Sequence, residues 1–157
     1  MTGGNFAFLL LGALACLLLA AAFTDLKGRV IEHWTTGAIA ALAPLYWWST
    51  GYALWPDVAI QIGIAFAVFA VFAGIYMTGA MGGGDVKLLG ALALWLPATP
   101  LFTMLFVMAI AGGIISLLFY AIHKLQKNNG ILEIPYGVAI ALAGLWVISE
   151  RYLNQFA

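Results

Sequence analysis

Two aspartates stand where apolar stretches of this chain give way to polar ones. Asp25 closes a long apolar run in Phe23-Thr24-Asp25-Leu26-Lys27-Gly28-Arg29, and Asp85 follows Gly82, Gly83 and Gly84 just before another apolar run. Two carboxyl groups brought close together cannot both ionise cheaply, so such a pair keeps one proton. The ionised member can then take a proton from water while the protonated member polarises a peptide carbonyl, which is aspartic-peptidase chemistry. Taken singly, either aspartate is equally explained as a helix cap or a flanking charge. The glycine run allows backbone angles closed to other residues and lets a second chain come near, as a site admitting an extended peptide requires; a hinge is the structural alternative.

The elements that must position these carboxylates belong in a bilayer. Of 157 residues, 65% are hydrophobic and 8% charged, and the mean hydropathy is +1.07. Six basic and six acidic side chains cannot cover the surface of a soluble domain of this length. A helix needs about 20 apolar residues to cross about 30 Å of hydrocarbon. Six spans are expected, over residues 6–24, 35–48, 58–76, 86–96, 101–122 and 134–148. The second, fourth and sixth are short and must borrow flanking residues or shelter within protein. Pro97, Ala98, Thr99 and Pro100 predict a tight turn that splits the fourth span from the fifth. With short loops throughout, the expectation is an all-α integral membrane protein forming one membrane-embedded domain over residues 1–157. The first span lacks a preceding basic residue and reads as a retained helix rather than a cleaved signal peptide.

Basic residues orient such a protein, because cytoplasmic loops carry the excess of Lys and Arg. With six spans, Lys27, Arg29, Lys87, Lys124 and Lys127 fall on one side and Arg151 on the other. Both termini are then outside, and Asp25 and Asp85 face the cytoplasm. Tyr46, Trp47, Trp48, Tyr52, Trp55 and Trp95 fall near the outer loops, as expected of aromatic residues at headgroup level. A formal net charge of zero carries no basic excess of the kind that marks a nucleic-acid binder. The single cysteine, Cys16, lies in an apolar run and reads as a small hydrophobe. His33 and His123 read as interfacial polar anchors rather than metal ligands.

The segment Gly82-Gly83-Gly84-Asp85-Val86-Lys87-Leu88-Leu89-Gly90 resembles the GxGD motif of the prepilin peptidases, the type IV prepilin leader peptidases. Asp25, Lys27 and Ile31 resemble the surroundings of the family's other aspartate, and Pro135-Tyr136-Gly137-Val138-Ala139 the opening of its last helix. Where many members have Pro and Asn after Ile31, this chain has Glu32 and His33. The cytoplasmic segment with paired CxxC motifs, tied in larger members to zinc and N-methylation, has no counterpart, so the chain is most similar to the short peptidases of Tad and Cpa pilus systems.

The resemblance implies an aspartic endopeptidase of the bacterial inner membrane with Asp25 and Asp85 catalytic and no metal or cofactor. Its substrates would be prepilin or pseudopilin precursors, cut after a short basic leader at the cytoplasmic face. Gly82, Gly83, Gly84, Lys87, Lys27, Glu32, Glu133, Pro135, Tyr136 and Gly137 are the expected substrate-binding or site-shaping residues. Glu32 and Glu133 either attract a basic leader or balance neighbouring Lys and Arg. Two rival readings are an intramembrane protease of the presenilin or signal-peptide-peptidase kind, whose aspartates lie on consecutive helices, and a small transporter or channel passing protons or cations along Asp25 and Asp85.

Overall fold

A computed structural model describes residues 2–125 and 134–153, and all the regular elements among them are helical. They are α1 (Thr2–Gly28), α2 (His33–Thr50), α3 (Ala59–Met77), α4 (Gly83–Ala93), α5 (Ala98–Leu125) and α6 (Tyr136–Leu153), with a short turn Leu54–Val58 leading into α3. Glu133 of the expected site and Lys127 of the charge pattern lie outside the described residues.

Among the described residues, three segments are long and apolar enough to cross a membrane: Gly4–Gly28, Leu54–Met77 and Ala98–Leu125. Of the other three helices, α4 is the shortest. At about 1.5 Å per residue, the 11 residues of α4 rise only half the thickness of a hydrocarbon core. Seven of those residues are buried, Asp85, Val86, Leu88, Leu89, Ala91, Leu92 and Ala93, so α4 is solvated by protein rather than lipid. It packs against α2, α3 and α6, while α1 packs on α2 and α6, and α5 packs on α6.

A buried helix end leaves carbonyls without partners. Around the C-terminus of α4, side chains from neighbouring helices supply them. The Gln61 amide of α3 donates to the carbonyls of Ala93 and Leu96 at 2.6 and 2.7 Å. The Trp47 indole of α2 donates to the Leu94 carbonyl at 2.8 Å, and the Trp95 indole returns to the Ile39 carbonyl of α2 at 2.9 Å. Tyr46, Trp47 and Trp95 are therefore core residues, with Tyr46 stacked on Trp95, whereas Trp48 and Trp55 are exposed. Three of the aromatic residues expected at headgroup level thus pack inside the bundle, where both indole N–H groups donate to backbone carbonyls.

The hairpin turn also differs from expectation. It occupies residues 94–97, and α5 starts at Ala98 with Pro100 in its first turn, where a missing N–H costs nothing. Trp47 near the end of α2 and Gln61 near the start of α3 meet the end of α4. The end of α1, the start of α2, the start of α4 and the start of α6 gather at the opposite end of the bundle. α1, α2, α3 and α4 thus alternate in direction.

Replacing Gln61 by Leu leaves two buried carbonyls unpaired and is expected to cost about 1–3 kcal/mol. Thermal unfolding in detergent measures this; an unchanged transition would show that these bonds do not hold α4 in place.

Candidate active site

Asp25 comes inward because of its register. Leu11, Leu14, Leu18 and Ala21 form a buried stripe along α1, spaced alternately three and four residues apart as one helix face requires. Asp25 is the next position on that stripe, and only 5% of its surface is exposed. The last turn of α1 closes with the Arg29 N–H donating to the Asp25 carbonyl at 2.8 Å, and Arg29 takes the left-handed conformation that ends the helix (φ 53°).

Asp85 sits in the first turn of α4, 8% exposed, where its carboxylate accepts the Gly82 N–H at 3.3 Å. Asp25 accepts the Val138 N–H at 3.2 Å, in the first turn of α6. Each carboxylate thus faces a helix N-terminus, whose free N–H groups and dipole favour negative charge. Burial pushes Asp85 up to about 6, the charge of Asp25 pushes in the same direction, and the Gly82 N–H opposes them.

Ile31 is the wedge between the two halves of the site, and glycine makes room for it. A Cβ on Gly84 would stand 3.1 Å from the Ile31 Cβ, and one on Gly137 would stand 2.8 Å from both the Asp25 Oδ2 and the Ile31 Cδ1. Glycine therefore serves close approach here. The run at 82–84 does not use backbone angles closed to other residues: Gly82 is extended (φ −74°, ψ 146°) and Gly83 and Gly84 open α4. The left-handed glycine of this region is Gly79 (φ 77°).

Both aspartates line one cavity of about 700 Å³ together with Arg29, Ile31, His33, Met81, Tyr136 and the glycines at 79 and 82–84. The other expected residues divide. Gly137 lies beneath Asp25, and the Tyr136 ring rests where a Cβ on Gly112 of α5 would be, 2.9 Å away. Pro135 is buried beside them. Lys27 is exposed and absent from the cavity wall, and Glu32 is occupied at the surface by the Trp34 indole N–H. Lys87 lines a separate groove between α2, α3 and α4. His33, expected only as an anchor, lines both that groove and the cavity. Its place in the short loop after Asp25 was the available signal. Met81 was missed because nothing in its residue type marks it. Among the described residues, no three His, Cys, Asp or Glu side chains come together as a metal would need.

Two buried carboxyl groups in a cavity roomy enough for a peptide segment and water can share a proton and divide acid and base work between them. Because ionised Asp25 opposes the ionisation of Asp85, removing that charge eases it. Asp25→Asn is therefore expected to shift the Asp85 titration to lower pH, read from the carboxyl stretch by infrared difference spectroscopy; an unmoved titration would mean the charges do not sense each other. Gly137→Ala is expected to cost about 1–3 kcal/mol through overpacking, visible as a lowered thermal transition, and full retention of stability would contradict the close approach.

The chain matches the type IV leader peptidase family over residues 12–117, a stretch containing both aspartates and the glycine run and ending before α6. Comparison with curated proteins and with solved structures gives no match. Matched over more than half its length, and with Asp25 and Asp85 opening into one cavity, the chain belongs to the type IV leader peptidase family.

Proposed function

We propose that Asp25 and Asp85 are the catalytic pair of an aspartic endopeptidase that removes a short basic leader from type IV pilin-like precursors of the Flp/Tad kind. The observation that carries this reading is the opening of both carboxylates, remote in sequence, into a single cavity at one end of the helix bundle. In the reaction, Asp25, held by the Val138 N–H, acts as the base and takes a proton from water. Asp85, which keeps its proton up to about pH 6, donates a hydrogen bond to the scissile carbonyl and steadies the developing oxyanion. The departing amine then collects a proton from the pair. No step calls on a metal.

In this reading the six helices form one domain in the bacterial inner membrane, with the half-length α4 sheltered inside it. The cavity faces the cytoplasm, as the basic residues Lys27, Arg29 and Lys87 near its end of the bundle favour. There the hydrolytic water is available, and a basic leader meets the acidic pair. The absence of a CxxC segment supports cleavage without N-methylation of the product.

Asp25→Asn and Asp85→Asn are each expected to lower cleavage of a pilin-like precursor by about 10²–10⁴-fold while the protein stays folded in the membrane. A mobility shift on leader removal provides the assay. Appreciable processing by either variant would overturn the assignment. A zinc chelator is expected to leave the rate unchanged, and strong inhibition would point to metal-assisted hydrolysis.

A further inference from the structure

α2 and α3 both pack on α4 yet scarcely touch each other, and a groove opens between them along one face of α4. That face carries Lys87, Gly90, Ala91 and Leu94, spaced as one side of a helix. It floors a groove of about 420 Å³ walled by Gly37 and Ala40 of α2 and by Ala65 and Phe69 of α3, with the Phe69 ring lying over Gly90. The small residues of the α2 wall let a further helix approach closely, which is how helices associate in lipid. A Cβ on Gly37 would meet nothing within 4 Å, so the α2 wall is open space rather than packed core.

Two observations indicate what the groove holds. It adjoins the aspartate cavity, since His33 lines both and Lys87 follows Asp85 by two residues. A helix lying in the groove would have its first turn beside Lys87, and the chain just before it would run past His33 toward Asp25 and Asp85. The groove also carries the cation of Lys87 and no acidic side chain along its lining, so a guest bearing a carboxylate there completes a charge pair in apolar surroundings. The other large groove, between α1 and α6, is lined by residues such as Asn5, Gly12 and Ser149 at the opposite end of the bundle, and carries no charge.

We propose that the α2–α3–α4 groove seats the apolar helix of the precursor, with Lys87 pairing a carboxylate in the first turns of that helix. This rests on the peptidase reading above and specifies how its substrate is held. The carboxylate sets the register that brings the bond ahead of the helix into the cavity.

The test uses the whole protein in liposomes and a synthetic peptide: a basic leader, a glycine, then about 20 apolar residues with a single Glu in the first helical turn and a photoreactive side chain further along. Adducts are expected within residues 36–40 or 65–69. Adducts confined to α1, α5 or α6, or cleavage with no adduct on α2 or α3, would overturn the proposal. Lys87→Glu is expected to raise KM for the Glu peptide by at least about tenfold, one decade being about 1.4 kcal/mol, and a peptide with Lys in place of that Glu should recover most of the loss. Equal KM values across all four pairings would also overturn it. Adducts on α2 and α3 without any cleavage would support the docking and count against the peptidase reading instead.

Discussion

Two carboxyl groups taken out of water and set against one cavity repel each other as soon as both ionise, and burial penalises even one charge. The end of the bundle that carries Asp25 and Asp85 is arranged around that cost. The first turn of α6 points the Val138 N–H at Asp25, and the first turn of α4 points the Gly82 N–H at Asp85. These helix ends make one charge tolerable, while the remaining repulsion and the burial keep Asp85 protonated to about pH 6. Close approach is the other half of the arrangement. Ile31 fits between Gly84 and Gly137 only because neither has a Cβ, so the loop after α1, the start of α4 and the start of α6 interlock on a single side chain.

The placement of Asp85 depends in turn on a helix too short to cross a membrane. α4 is stable as a core element because Gln61, Trp47 and Trp95 make hydrogen bonds around its C-terminus, and because leucines and alanines on most of its circumference pack against protein. A half-length helix sets the depth of its first turn through those ties. The longer α1, α3 and α5 carry the lipid-facing surface, where side chains such as Leu19, Phe66 and Phe106 stand exposed.

Much of this was legible in the residues. Hydropathy gave the six helices with ends close to those observed, and the Gly-Asp and Pro-Tyr-Gly segments pointed to the ends that meet. Which face of each helix turns inward was not legible, for a physical reason. In lipid the outward face is as apolar as the inward one, so the stripe Leu11, Leu14, Leu18, Ala21 that carries Asp25 inward does not stand out against exposed Leu9, Leu19 and Phe23. That Tyr46, Trp47 and Trp95 turn inward was not legible either, because an amphipathic ring suits an interface and a carbonyl-lined core equally well. Lys87, expected from the GxGD-like segment to bind substrate or shape the site, does not line the aspartate cavity, because two residues along a helix turn it to another face, into the groove beside α2 and α3.

The account stands or falls on Asp25 and Asp85 meeting across one cavity. The most direct measurement replaces both by cysteine in a Cys16→Ser background and applies a short bifunctional thiol reagent to the membrane-embedded protein. The structure predicts efficient intramolecular cross-linking between positions 25 and 85, with the product detected by peptide mapping. Failure to cross-link while both thiols react singly with the same reagent would contradict it, because the two side chains would then be accessible but not neighbours.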